Sequence, residues 1–273
     1  LAGSADEVTP ALIKGDLDMA CVPANLAAVL YGKTGGAVEV LAVNTLGVLY
    51  IVENGNSVQS MADLAGRTIV ASGKGSTPEY ALRYLLTENG IDPDTGVTID
   101  WKSEHSECVA SLASGAATIA MLPQPFVTVA QTQLPDLRVA LDLTEEWDAL
   151  DNGSALLTGV VVARADFVKE HPAAGSNFLE QYSASVGWVN ANTAEAAELI
   201  GGYDIVDATV AEKALPYCNI VCVTGTEMMD MLGQARLVLG AILALTGAAG
   251  PLGGGLMIAG ALLLGTEVAL NWD

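Results

Sequence analysis

The run Gly73-Lys74-Gly75-Ser76-Thr77-Pro78-Glu79 combines the residue types that suit a polar ligand held at the start of a helix. Glycines let the backbone come close to a bound group, Ser76 or Thr77 can cap the first turn, Pro78 suits that turn, and Glu79 complements the helix dipole. Backbone N–H groups left free at such a start can receive an anionic or polar group. The same run also fits a plain helix N-terminus. Its spacing is not that of the phosphate-binding GxxxxGK[ST] loop. A second contact is offered by Pro23, Ala24 and Asn25, where the Asn25 carboxamide can both donate and accept. Thr45 and Gly47 stand at the next strand end, and Gln124, Pro125 and Phe126 add an amide and a ring for stacking, although Phe126 fits core packing equally well.

Glu104 and His105 are adjacent and follow a strand-like run, a pairing that invites acid–base chemistry. Neighbours in sequence need not share a direction, and nothing nearby reads as a nucleophile, so a ligand contact or a loop hydrogen bond is expected instead. The cysteines, Cys21, Cys108, Cys218 and Cys222, form no CxxC and lack the accompanying His or Cys of a structural zinc site; they read as small buried apolar residues. The histidines are His105 and His171, too few for a His-rich metal centre. No cofactor, metal or catalytic residue is expected. With 32 acidic against 11 basic residues the net charge is −21, which repels phosphate backbones and makes nucleic acid an unsuitable partner.

These segments need elements to place them. At 51% apolar and 16% charged residues the chain is far from the composition of disordered proteins. Strand-like runs at 19–22, 38–43, 47–52, 68–71, 97–101, 118–122, 138–142 and 159–163 alternate with helical stretches such as 79–88 and 106–114, and a largely helical run covers 165–201. That alternation is an α/β signature. Residues 11–25 are echoed a hundred positions later by 111–125, with Leu12/Leu112, Gly15/Gly115, Ala20/Ala120 and Pro23/Pro123 in register. Each copy reads as a helix ended by glycine, a short buried strand and a proline that stops it. Duplicated α/β lobes would set the two strand ends facing each other across a cleft, where ligands of open α/β sheets bind.

At these residues the chain resembles the nitrate/sulfonate/taurine and thiamine-precursor group of ABC-transporter substrate-binding proteins. The matching stretches are the ALxxGxxDxAxVP pattern that opens 11–25, Met61–Ile69 with the DLxGKxI pattern, the run 73–79, and 115–126 and 162–172, together spanning roughly 1–234. The resemblance implies a two-lobed type II periplasmic-binding-protein fold, with lobe I at 1–57 and 154–234, lobe II at 58–153, and a hinge near 53–57 and 152–157. It implies capture of a small sulfonate-like or pyrimidine-like solute between the lobes, delivery to an ABC permease in the membrane, and no covalent change to the solute. A monomer in the periplasm or outside the cell is expected, anchored by an N-terminal signal or lipid anchor upstream of Leu1. The family's first strand and helix would also precede Leu1. Alternatives of the same fold are a thiamine-pyrimidine or menaquinone-pathway enzyme; the cysteine-rich iron motif and cofactor-bearing lysine of the former find no counterpart here.

From Leu237 to Leu264 no residue is charged, and Gly247-Ala248-Ala249-Gly250-Pro251-Leu252-Gly253-Gly254-Gly255 splits the span. This segment, 235–273, has no family counterpart. It resembles the Gly/Ala-rich hydrophobic segments of phage tail tape-measure proteins, which leaves a chimeric or phage structural protein as a further alternative. A helical hairpin turning at Gly250–Gly255, with a break from the rest at Gln234–Ala235, is expected.

Overall fold

The computed structural model describes the backbone of residues 5–245 and the side chains of 7–235. The chain opens with α1 (Ala5–Lys14), β1 (Met19–Pro23), α2 (Ala24–Thr34), β2 (Val38–Leu46) and β3 (Leu49–Glu53). It continues through β4 (Thr68–Ser72), α3 (Thr77–Glu88), β5 (Thr98–Lys102), α4 (His105–Ala113), β6 (Ile119–Pro123), α5 (Phe126–Gln133), β7 (Arg138–Asp142) and α6 (Leu143–Asp148). Then follow β8 (Leu157–Arg164), α7 (Ala165–Glu170), α8 (Pro172–Ala191), α9 (Thr193–Gly202), α10 (Ala208–Ala214), β9 (Ile220–Val223) and α11 (Gly225–Leu245).

The strands form two sheets, a four-stranded one in the order β1-β8-β2-β9 and a five-stranded one in the order β5-β4-β6-β3-β7. Each buries apolar side chains on both faces. Val22, Val43, Val160 and Val162 of the first sheet pack with Leu12 and Leu30 of α1 and α2 and with Met228 and Ala235 of α11, while Leu41, Val161 and Ala163 meet α7 and α8. In the second sheet, Ile51, Ile69 and Met121 pack against Leu82, Leu85 and Trp147, and Tyr50, Val70 and Leu122 against Cys108, Leu112 and Val127. The echo at 11–25 and 111–125 takes the same form twice, since α1 and α4 are followed by Gly15 and Gly115 at φ 82° and 72° and then by β1 and β6. Both strands then pair antiparallel with a strand from the other end of their half, β1 with β8 and β6 with β3.

Several expectations are corrected by long-range pairing. A boundary at residue 57 would place β3 with the first half, yet β3 is fully buried between β6 and β7 of the five-stranded sheet. The chain therefore crosses at Gly47–Val48, and Asn54-Gly55-Asn56 is not the crossing; the Gly55 carbonyl there accepts a hydrogen bond from Arg138 Nε at 3.0 Å. The return lies between Leu156, in the core of the second sheet, and Leu157, in that of the first. β9 is an additional strand beside β2. Cys108 is buried, whereas Cys21 is exposed and Cys218 and Cys222 are half-buried. No break occurs at Gln234–Ala235, because α11 runs through it without interruption. The expected hairpin turn at Gly250–Gly255 lies outside the described residues. Among those described, no helix is long and apolar enough to cross a membrane.

At the crossing, Gly47 has φ 65°, its N–H donates to the Leu156 carbonyl at 2.7 Å, and a methyl group there would collide with Thr144 Oγ1. Gly47→Ala therefore meets both a backbone penalty and a steric one, and a loss of about 1–2 kcal/mol is expected in urea unfolding. A midpoint equal to wild type would show that the crossing relaxes freely.

Candidate functional site

β4 pairs in parallel with both β5 and β6, so the carboxyl ends of these three strands lie along one edge of the second sheet. α3, α4 and α5 each follow one of these strands, which brings their N-termini together there. The loop from Ser72 into α3 turns through Gly73 and Gly75, at φ 82° and 79°. These are left-handed values that glycine adopts without strain. The Gly73 carbonyl accepts from the Ser76 N–H at 3.1 Å and from Ser76 Oγ at 2.9 Å, while the Gly75 N–H donates to the Glu79 carboxylate at 2.6 Å. Pro78 stands in the first turn of α3 and Ser76 at the cap position, as the sequence pattern anticipates, but the Ser76 hydroxyl turns back to the Gly73 carbonyl and makes no capping bond to the helix.

His105 opens α4. Its Nδ1 shares a hydrogen bond of 2.5 Å with Ser72 Oγ at the end of β4, and its ring lies 4.9 Å from that of Phe126, the first residue of α5. Burial lowers the pKa of His105, so the imidazole is neutral at pH 7. The Glu104 carboxylate is exposed and accepts from Ser106 Oγ at 3.1 Å, within its own helix start. The adjacent Glu and His thus turn to different partners and do not form an acid–base couple. Gln124 Oε1 accepts from Thr128, from the N–H at 3.3 Å and from Oγ1 at 2.9 Å, which caps α5 just beyond Pro125. Among the described residues, no acceptor meets Gln124 Nε2.

The first half contributes the start of α2. Pro23 ends β1, Ala24 begins the helix, and Asn25 is buried with its Nδ2 donating to the Gly75 carbonyl at 3.2 Å and its Oδ1 accepting from Thr77 Oγ1 at 3.1 Å. Five of the expected residues, Gly73, Gly75, Ser76, Thr77 and Asn25, are thereby brought to one place, next to His105 through Ser72. Pro125 and Phe126 join through the His105 ring. Thr45 and Gly47 are engaged elsewhere: Thr45 Oγ1 donates to Asn44 Oδ1 at 3.1 Å, its carbonyl accepts from Thr158 Oγ1 at 3.1 Å, and Gly47 belongs to the crossing.

Two residues passed over in the sequence stand out. Ser72, just past the strand-like run 68–71, is buried and anchors His105. Lys74 is exposed, with no ion pair among the described residues, and its place between two glycines in a chain with 11 basic residues was the available signal. No group of three or more His, Cys, Asp or Glu side chains among the described residues could hold a metal ion.

Residues 1–172 match the family described as phosphonate ABC transporter, periplasmic substrate-binding protein. No match was found among curated proteins. Among solved structures, an ABC transporter from Parabacteroides distasonis superposes with a TM-score of 0.73 at 21% identity, over 92% of this chain and 82% of that one. The periplasmic aliphatic sulphonate binding protein SsuA from Escherichia coli gives 0.71 at 15% identity, over 88% and 74%. The alkanesulfonate-binding protein SsuA from Xanthomonas axonopodis pv. citri, bound to MOPS, gives 0.69 at 14%, over 88% and 81%. These likenesses agree with the two-lobed type II fold, and they lend the tape-measure resemblance of 235–273 no support.

Proposed function

The chain belongs to the periplasmic substrate-binding proteins of phosphonate ABC transporters, and on that premise we propose that it captures a small organic oxyanion, a phosphonate or a sulfonate, between its two lobes. Members of this family bind solutes for a membrane permease and are not enzymes. The observation that supports an oxyanion is the meeting of the starts of α3, α4 and α5 along one sheet edge, opposite the start of α2. Helix N-termini favour negative charge, and a site built from neutral donors can strip water from an oxyanion without burying a fixed counter-charge.

In this reading the oxyanion displaces the internal bonds of the loop Gly73–Thr77 and takes over donors now spent on the Gly73 carbonyl and the Glu79 carboxylate, with His105 and Gln124 Nε2 as further donors. Phe126 and Pro125 contact the organic part, and Pro23 and Ala24 close the cleft from lobe I. Glu104 sits at its margin, and Thr45 and Gly47 take no part. Lys74 at the mouth draws an anion towards a molecule whose net charge of −21 otherwise repels it.

Isothermal titration with methylphosphonate, 2-aminoethylphosphonate, taurine, ethanesulfonate and a hydroxymethylpyrimidine tests it directly. A phosphonate or sulfonate should bind with Kd of about 1 μM or tighter, worth ~8 kcal/mol, and be recovered unchanged by mass spectrometry. Binding of the pyrimidine alone would overturn the oxyanion reading, and chemical turnover of any solute would overturn the transport role.

A further inference from the structure

We propose that Val48 is a specificity-determining residue, whose side chain forms an apolar wall for the organic part of the solute. The proposal rests on the site described above and holds for a phosphonate or a sulfonate alike.

Val48 has φ 76°, a left-handed value that glycine takes freely and a β-branched residue takes only under strain. Gly47 before it, at φ 65°, is explained by the crossing, since a methyl group there would meet Thr144. No such reason calls for a side chain at position 48. Apolar side chains are kept by what they bury, and the neighbours of Val48 follow that rule: Leu46 packs with the first sheet, and Leu49, Tyr50, Ile51 and Val52 lie in the two cores of the second. Val48 is half-buried and joins none of the apolar clusters among the described residues. Strain that core packing does not offset marks residues held in place for a ligand.

The position of Val48 in the fold says which ligand. β3 runs antiparallel to β6, with Leu49 opposite Pro123, so the start of β3 lies at the same edge of the second sheet as the ends of β4, β5 and β6. The Val48 carbonyl accepts from the Gln124 N–H at 3.2 Å, which sets Val48 beside the residue that leads into Pro125 and Phe126. On the other side of β6 stands β4, which ends at Ser72 and runs into the glycine loop. Along this edge come, in order, a polar loop, the Gln124 amide and an apolar side chain. That order suits a solute with an oxyanion at one end and a short alkyl group at the other.

Isothermal titration of the full chain with methyl-, ethyl- and propylphosphonate, and with the matching sulfonates, tests the assignment. Each methylene taken out of water is worth about fourfold in affinity, an increment wild type should show along the series. Val48→Gly, which relieves the backbone, should bind the methyl compound within about twofold of wild type and the propyl compound about tenfold more weakly. Its urea midpoint should be no lower than that of wild type, as expected where a residue is strained for function. Val48→Ile adds one methylene to the wall and should reverse the preference, so that the methyl compound binds more tightly than the propyl one. Chain-length increments equal in wild type and Val48→Gly overturn the assignment, and so does a glycine variant with a lowered midpoint, in which the valine would serve the fold. Either result leaves the oxyanion reading standing, whereas a wild type that binds none of the series overturns that reading and the role of Val48 with it.

Discussion

Replacing Glu53 by glutamine is expected to cost about 3 kcal/mol of stability at neutral pH and to remove much of the acid sensitivity of the fold. Glu53 ends β3, an interior strand of the five-stranded sheet, and is 2% exposed. Its carboxylate accepts from the Ser57 hydroxyl at 2.5 Å, the Ser57 N–H at 2.8 Å, the Val58 N–H at 3.1 Å and Arg138 at 2.6 Å. Burial alone would raise its pKa, but the Ser57 hydroxyl and amide, the Val58 amide and Arg138 outweigh burial and hold it at about 2. Glutamine offers one acceptor oxygen and no charge, so Arg138 loses its counter-ion in a largely buried setting. Breaking such a pair from one side costs about 3–5 kcal/mol. Because the folded pKa is depressed, the contribution is complete above the unfolded value of ~4.3 and is lost as pH falls from there towards 2. Urea unfolding between about pH 5 and 2 should show wild type losing stability that Glu53→Gln does not have to lose. A variant within about 1 kcal/mol of wild type at pH 7, or one with the same acid slope, would show that Glu53 is not the anchor its bonding suggests.

The elements were legible where local signals sufficed, and the errors lie where pairing partners are distant. All eight strand-like runs are strands because each is a short apolar run bounded by glycine, proline or polar turns. Ile220–Val223 escaped because four half-buried residues at a sheet edge show no period-2 pattern. β3 was located correctly but given to the wrong sheet, since its apolar run fits any buried strand and only the register with β6 and β7 decides. Just past Gln234–Ala235, after Arg236, the charge disappears, yet Leu and Ala propagate a helix as well as the preceding Met and Gln do, so composition changes where backbone structure does not. The start of α3 could be read because caps and glycines act within a few residues. The partners of Asn25 lie 50 and 52 positions away, beyond any local rule. Its carboxamide was legible as a donor and acceptor, but its engagement by the protein itself was not.

The same distinction decides how His105 should behave. Sequence placed it beside Glu104, whereas the fold turns it to Ser72 and Phe126 at the meeting of three helix starts. His105→Ala is expected to weaken binding of the phosphonate or sulfonate found by titration about 10–100-fold, the loss of a hydrogen bond to a charged group. The effect should depend on pH in a way that separates ligand contact from packing. Without solute, burial depresses the His105 pKa, so the neutral ring contributes stability above the unfolded value of ~6.5, and that contribution is lost as pH falls through the folded value. An oxyanion at Nε2 reverses the preference, because it favours the imidazolium. Wild-type affinity should therefore rise as pH is lowered from about 8 to 5.5, with net proton uptake on binding, for a solute whose own charge is constant over that range, such as ethanesulfonate. His105→Ala should bind with a flat profile, and His105→Gln, which restores a donor without a titrating ring, should recover part of the affinity and none of the slope. A wild-type profile as flat as that of the alanine variant would place the oxyanion away from His105, and leave the ring as a support for Ser72 and Phe126 alone.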